Sequence, residues 1–130
     1  MPDDATIQGE LQAQIMTTLW RLDAGTVEQV RSGLPPRYQG AYTTVQTVLN
    51  RLAGRGLLSR EREGRGLVYR PRISEAEYLS RTIRRTLAGA STDARQAALA
   101  DLVGGIDAQE LSRLQSRAKK VSEARKKRRA

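Results

Sequence analysis

Apolar residues recur at helical spacing in three short segments before residue 56, and glycine or proline ends each segment. Spacings of three and four residues place such side chains on one face of an α-helix. Gly25 follows the first segment, Gly33 and Pro35 follow the second, and Gly54 follows the third. These residues are typical of helix ends. We therefore predict helices over about 8–22, 26–34 and 41–55, with the inward-facing residues Leu11, Ile15, Leu19, Leu22, Val27, Val30, Leu34, Val45, Val48, Leu49 and Leu52.

A glycine-rich turn with an extended run on each side follows the third helix. LLSRERE precedes Gly64-Arg65-Gly66 and LVYRPR follows it, which predicts a β-hairpin with Pro71 near a strand end. Three helices and a two-stranded hairpin in this order form a winged helix-turn-helix, in which the third helix enters the DNA major groove. We predict a mainly α protein with this domain over residues 1–73, and we assign Trp20 and Tyr69 to its core.

The second half of the chain predicts three more helices with narrow apolar faces. The capping box SEAE begins the first, Ser91, Thr92 or Asp93 can cap the second, and Asp107 can cap the third. The hydrophobic content is 38%, with no Phe and one Trp, so these helices can hardly bury their faces among themselves. We expect residues 74–122 to form a homodimerisation domain. The predicted interface residues are Leu79, Ile83, Leu87, Leu99, Leu102, Val103, Leu111 and Leu114.

The charge of the chain favours a polyanionic partner. There are 23 Lys and Arg against 14 Asp and Glu, a net charge of +9. Residues 1–40 carry a net of −2, whereas residues 41–72 carry seven Arg against two Glu, a net of +5. Such a balance favours nucleic acid over an acidic membrane. The third helix and the hairpin therefore lie in a basic block.

The outward face of the third helix is rich in hydroxyl and amide side chains. An ordinary solvated helix face could account for them, but threonine is a poor helix former and three threonines lie on this face. Thr, Gln, Asn and Arg are also the side chains that contact base edges, and Tyr and Arg can contact phosphates. The predicted DNA-binding residues on this helix are Tyr42, Thr43, Thr44, Gln46, Thr47, Asn50 and Arg51.

The hairpin and the C-terminus add further basic side chains. Arg65 lies between two glycines at the turn, and we predict that it contacts a phosphate or the minor groove. Arg60 and Arg62 are also predicted to bind DNA, with ion pairs to Glu61 or Glu63 as the alternative. Residues 123–130 form a basic tail, predicted to be disordered, that could raise non-specific DNA affinity through counterion release.

Several function classes are disfavoured by what the sequence lacks. With no Cys and no His there is no thiolate or imidazole metal ligand and no histidine base, so we expect no metal site, no cofactor and no enzyme activity. No apolar run approaches the roughly 18 residues of a membrane span, and MPDDATIQGE is unlike a signal peptide, so a cytoplasmic location is expected. The alternatives to a DNA-binding regulator are a winged-helix RNA-binding protein and a protein-interaction module.

Four segments together resemble the penicillinase-repressor family, whose bacterial members control β-lactamase and methicillin-resistance operons. They are LQAQIMTTLWRL, TVEQVRSGL, AYTTVQTVLNRLAGRGLLSREREGRGLVYRPRIS and RQAALADLVGGIDAQELSRL. The resemblance spans about residues 8–114, and the part over 41–58 is its most specific motif. It implies a homodimeric repressor that binds an inverted-repeat operator in double-stranded DNA.

The same resemblance implies a mode of derepression. In family members with a known inducer, a membrane-bound sensor metalloprotease triggers cleavage of the repressor within the second C-terminal helix, typically at an Asn-Phe bond. The matching position in this sequence is Asp101-Leu102, which departs from that pattern and is the candidate cleavage site. The cysteine cluster of the copper-responsive branch is absent from this sequence.

Overall fold

The computed structural model describes residues 6–129, and it confirms the predicted mainly α fold with one two-stranded antiparallel hairpin. Residues 1–5, which carry part of the argument against a signal peptide, and Ala130 lie outside the described residues. Within residues 6–129, no helix combines the length and apolar character that crossing a membrane requires. The elements in chain order are α1 (Gly9–Leu22), α2 (Val27–Gly33), a 3-10 turn (Pro36–Tyr38), α3 (Tyr42–Gly54), β1 (Leu58–Glu63), β2 (Gly66–Pro71), α4 (Glu75–Ala88), α5 (Thr92–Gly104) and α6 (Ala108–Arg129).

The chain divides into two compact units between Thr82 and Ile83. Every buried residue of the described chain lies in the first unit. Tyr69 is fully buried, as predicted, and half-buried Trp20 packs against the same cluster while its Nε1 donates to the carbonyl of Ile73 at 2.9 Å. The buried apolar cluster consists of Ile15, Met16, Leu19, Val27, Val30, Leu34, Val45, Val48, Leu49, Leu52, Leu57, Leu58 and Tyr69.

The connection from α2 to α3 is fixed by side chains that bond to its backbone. Thr26 and Gln29 form a capping box at the start of α2. Gln39 Nε2 donates to the carbonyl of Leu34 at 2.7 Å, and Arg31 Nε donates to the carbonyl of Gly40 at 2.7 Å. Such bonds satisfy carbonyls that the loop leaves without helical partners. The start of α3 is therefore held in a defined place on the unit.

The hairpin turns through Gly64 and Arg65, and its register pairs Glu63 with Gly66. Gly64 has a φ of 64°, the left-handed conformation that glycine supplies in tight hairpin turns. Backbone bonds in both directions also join Gly25 to Tyr69, at 3.0 and 2.9 Å. This bridge, which no local sequence pattern predicts, joins the hairpin to the segment between α1 and α2.

The first unit continues into α4, past the domain boundary predicted at residue 73. Tyr78 on α4 explains the difference, because it contacts two residues of the first unit. The centre of its ring lies 5.9 Å from the centre of the Trp20 ring, and its hydroxyl accepts a hydrogen bond from the Ile7 amide at 2.7 Å. Ser74 caps α4 as predicted, through a bond from the Glu77 amide at 3.0 Å.

The second unit contains the rest of α4 together with α5 and α6. Ser91 caps α5 and Asp107 caps α6, as the sequence predicted. Helix α6 continues through Arg129, so residues 123–129 are helical where a disordered tail was predicted. Ala, Glu, Lys and Arg are strong helix formers, and cations near a helix C-terminus are favourable, which together explain the continuation.

Candidate nucleic-acid interface

The predicted contact face of α3 is largely open to solvent. Tyr42 is 48% exposed, and Thr43, Thr44, Thr47 and Arg51 are also exposed. The opposite face, with the buried residues Val45, Val48, Leu49 and Leu52, holds the helix on the core. The helix thus presents small polar side chains outward without giving up its packing.

The three threonines of α3 differ in which side-chain groups are still available to contact DNA. The Thr47 hydroxyl donates to the carbonyl of Thr43 at 2.8 Å, one turn back on the same helix. This bond leaves the Thr47 methyl group as the part suited to an apolar contact, such as one with a thymine methyl. Thr43 and Thr44 precede it in the first turn, where recognition helices usually meet bases.

A groove of about 220 Å³ brings the start of α3 together with the hairpin. Four of the predicted DNA-binding residues line it: Tyr42 and Gln46 from α3, and Arg62 and Arg65 from the hairpin. Thr26, Val27, Gly66 and Leu67 complete its lining. Residues that the sequence places about 20 positions apart are therefore joined in one concave, basic surface.

Asn50 has a different environment from the threonines. Its Oδ1 accepts a bond from the Tyr69 hydroxyl at 2.7 Å and a second from Arg60 Nη1 at 2.9 Å. Both donors belong to the hairpin, where Arg60 and Tyr69 are cross-strand partners. Asn50 was predicted to bind DNA, but its acceptor is already occupied in linking α3 to the hairpin. Arg60 likewise has a partner on α3 in place of Glu61 or Glu63.

The phenol in this cluster is buried, and burial raises the pKa of Tyr69 above its ordinary value of 10.0. The positive charge of Arg60 and its hydrogen bond act in the opposite direction on that pKa, while Tyr42 adds a smaller upward effect. The net upward direction indicates that loss of water outweighs the cation. Tyr69 is therefore protonated at neutral pH and acts as the donor to Asn50.

The hairpin arginines differ in how far they are engaged. Glu63 pairs with Arg70 across the strands at 2.7 Å. Within residues 6–129, no ion pair involves Arg51, Arg62 or Arg65, and all three are exposed. These guanidinium groups are free to contact phosphates.

Arg37 is a candidate contact residue that the sequence prediction did not include. It is exposed in the 3-10 turn just before α3, and its guanidinium lies 4.8 Å from the centre of the Tyr38 ring. A basic residue directly ahead of a recognition helix is a usable signal. Arg37 was not predicted because residues 1–40 as a whole carry a net negative charge.

The predicted dimer residues lie on α4, α5 and α6. Leu87 and Leu111 are partly buried, while the remaining six predicted residues are exposed, with Leu102 at 59% the most open among them. Asp101 and Leu102 lie within α5, near its C-terminal end at Gly104. In residues 6–129, no three His, Cys, Asp or Glu side chains are grouped in a way that could hold a metal ion.

Comparison with known proteins places this chain among transcriptional regulators. The transcriptional regulator BlaI of Mycobacterium tuberculosis is 38% identical over 108 residues, which is 82% of this chain and 78% of that protein. The penicillinase repressor of Bacillus licheniformis is 30% identical over 70 residues, which is 54% of this chain and 55% of that protein. The solution structure of the DNA-binding domain of the repressor BlaI matches with a TM-score of 0.49 and 29% identity, over 56% of this chain and 92% of that domain. The penicillinase repressor family model matches residues 8–120, most of the described chain, and the chain therefore belongs to the penicillinase repressor family of transcriptional regulators.

Proposed function

We propose that this chain represses transcription by binding, as a homodimer, an inverted-repeat operator in double-stranded DNA. The observation that carries the proposal is the groove between α3 and the hairpin, where Tyr42 and Gln46 lie beside Arg62 and Arg65. Helix α3 contacts base edges in the major groove, and the hairpin arginines hold the phosphate backbone. A dimer bound across a promoter would exclude polymerase from it.

The division between base and phosphate contacts can be tested by substitution. Sites are first selected from a random pool of duplexes with the unmodified full chain. The double variant Thr44→Ala and Thr47→Ala should then lose part of the difference in binding free energy between the selected and a random duplex. The expected loss is roughly 1–3 kcal/mol for each base contact removed. Arg65→Ala instead weakens binding to selected and random duplexes alike and makes the salt dependence shallower.

Thr17→Ala is the matched control, because Thr17 is an exposed helical threonine of the same unit on α1. It should leave both affinity and preference unchanged. Selected-site preference that survives the double variant would contradict the placement of α3 in the groove. Tighter binding to a structured RNA than to any selected duplex would instead support an RNA-binding protein.

The homodimer is proposed from the apolar side chains that α4, α5 and α6 expose. In α6, Leu114 is 44% exposed and Val121 is 52% exposed, on the same face of the helix. A Lys at position 114 would bring an unpaired charge into the interface, so Leu114→Lys should raise the dimer dissociation constant roughly tenfold or more. Gln115→Lys, the exposed neighbouring position, is the control. Equal sedimentation of both variants as dimers would exclude this helix from the interface.

The proposed route of derepression is cleavage of the Asp101-Leu102 bond after a membrane-bound sensor metalloprotease detects an inducer. Both residues are exposed, and the Asp101 carbonyl accepts a bond from the Gly105 amide at 3.1 Å at the end of α5. Helix ends open locally at little free-energy cost, which favours access to this bond. Mass spectrometry of the protein from β-lactam-treated cells should show a fragment ending at Asp101, and its absence would reject this bond as the cut site.

A further inference from the structure

Helix α6 carries a concentration of positive charge that the groove on α3 does not use. Over Ala108–Arg129 it has nine Lys and Arg against two Glu, a net charge of +7. All of these charged side chains are exposed, and none of the nine basic ones forms an ion pair within residues 6–129. The penicillinase repressor match ends at residue 120, whereas α6 and its charge continue to Arg129.

The basic side chains are not spread evenly around the helix. Successive residues of an α-helix are about 100° apart, so five of the nine fall within an arc of about 100°. We call this set the basic stripe; it consists of Arg113, Arg117, Lys120, Lys127 and Arg128. The apolar residues Leu111, Leu114, Ala118 and Val121 lie on a neighbouring arc, so dimer formation through them leaves the basic stripe uncovered.

Stabilisation of the helix explains the basic stripe only at its C-terminal end, at Lys127 and Arg128. Cations in the last turn interact favourably with the helix dipole, which accounts for the charges near Arg129. Arg113, Arg117 and Lys120 lie far from the last turn, and like charges four residues apart destabilise a helix by roughly 0.2–0.5 kcal/mol per pair. Glu110, in the first turn, and Glu123 are the only acidic side chains of α6, too few to compensate.

The form of the basic stripe matches the backbone of duplex DNA. From residue 113 to residue 128 it extends about 22 Å, an axial length over which each strand of a duplex carries about six phosphates. A membrane surface fits less well, because the apolar face ends at Val121 while the charge continues for two more turns, and interfacial helices need both faces together. We propose that the basic stripe is a second, sequence-independent contact of this protein with the phosphate backbone of duplex DNA. This inference rests on the proposed function, since it adds a contact to the same partner.

The experiment compares two full-length variants with equal charge loss. The stripe variant combines Arg113→Gln, Arg117→Gln, Lys120→Gln and Lys127→Gln. The control variant combines Lys119→Gln, Arg125→Gln, Lys126→Gln and Arg129→Gln, which also removes two Arg and two Lys from α6. Gln preserves helix propensity in both variants. Binding of a labelled random-sequence duplex is measured by fluorescence anisotropy between 50 and 200 mM salt.

The expected result is a shallower salt dependence in the stripe variant alone. Losing four phosphate contacts should make the slope of log affinity against log salt shallower by about 3.6. Between 50 and 200 mM salt, the stripe variant should therefore lose affinity by a factor about 150 times smaller than the unmodified chain does. Equal slopes for the two variants would overturn the proposal. So would a stripe variant that loses affinity for anionic vesicles but keeps its affinity for duplex DNA. A changed sedimentation coefficient in the stripe variant would overturn it too, because the stripe would then belong to a subunit interface.

Failure of this inference is distinguishable from failure of the proposed function. The variant Thr44→Ala with Thr47→Ala should lose site preference while keeping the full salt slope on random duplex. If the unmodified chain preferred no duplex sequence, the proposed function would be wrong. The comparison of the stripe and control variants on random DNA would still test the role of α6.

Discussion

Asn50 should contribute more to the stability of the first unit than to direct base contact. Its Oδ1 holds the Tyr69 hydroxyl at 2.7 Å and Arg60 Nη1 at 2.9 Å. Two substitutions separate these contacts. Tyr69→Phe removes the hydroxyl and leaves Asn50 bonded to Arg60, whereas Asn50→Ala leaves a buried phenol without its acceptor.

The two losses differ in size because only one creates an unsatisfied buried group. A hydrogen bond removed together with its donor costs about 0.5–1.5 kcal/mol, so we expect about 1 kcal/mol for Tyr69→Phe. Leaving a buried donor without a partner instead costs its full desolvation penalty of about 1–3 kcal/mol, so Asn50→Ala should cost about 2 kcal/mol. Arg60 is exposed, and water can replace its lost partner. The double variant has no orphaned hydroxyl, so its loss should fall short of the sum by about 1 kcal/mol.

Urea unfolding of the full chain, followed through Trp20, reports on the first unit because this is the only Trp of the sequence and it packs on that unit's core. With a slope of about 1 kcal/mol per M, the midpoint should fall by about 1 M for Tyr69→Phe and about 2 M for Asn50→Ala. Arg51→Ala, at an exposed site on the same helix, should stay within about 0.5 kcal/mol. Equal urea midpoints for Tyr69→Phe and Asn50→Ala would refute the reasoning. So would a loss of unfolding free energy in the double variant that equals the sum of the two single losses.

Three further outcomes follow from the packing of the first unit. A Cβ at Gly33 would lie 2.9 Å from the Thr18 methyl, so Gly33→Ala should destabilise α1 against α2 by about 1–3 kcal/mol; an unchanged urea midpoint would contradict this. The raised pKa of Tyr69 means that its contribution to stability is complete below about pH 10 and is lost as the pH rises through its folded-state pKa. Melting temperatures from pH 8 to 11 should therefore fall less steeply in Tyr69→Phe. Replacing Thr44 and Thr47 by Ala should raise the unfolding free energy by about 1 kcal/mol in urea titrations, because Ala is the better helix former; a lower value would indicate that these threonines stabilise the folded state.

The elements of the first unit were predictable because local signals agree with one another. The apolar spacing in α3 matches the residues that are buried, and Gly64 with Arg65 sets a two-residue turn that fixes the hairpin register. That register alone places Arg60 opposite Tyr69. Local patterns of this kind arise from interactions within a few residues, which a single sequence contains in full.

The Asn50 cluster was not predictable in the same way. Asn50 and Tyr69 are 19 residues apart, and their contact depends on how the hairpin packs against α3. On the helix surface Asn50 has the spacing of a base-contacting residue, so a pattern of polar residues cannot separate an engaged amide from a free one. The helical end of α6 was missed for another reason: its low hydrophobicity suggested disorder, although its residue types favour a helix.

The hydrogen bonds of Asn50 divide the outward face of α3 into a part that is free of the hairpin and a part that is bonded to it. Thr43 and Thr44 in the first turn have no bonds from their side chains to other elements of the described chain, whereas Asn50, two turns later, is bonded to the hairpin. Because side chains that are already bonded must break those bonds before contacting a base, discrimination between sequences should concentrate in the first two turns. Later in the helix, Asn50 instead bonds to the hairpin, and the hairpin carries Arg62 and Arg65, which we propose as phosphate contacts. We therefore expect substitutions in the first two turns of α3 to change sequence preference, and substitutions at Asn50 to act through the hairpin.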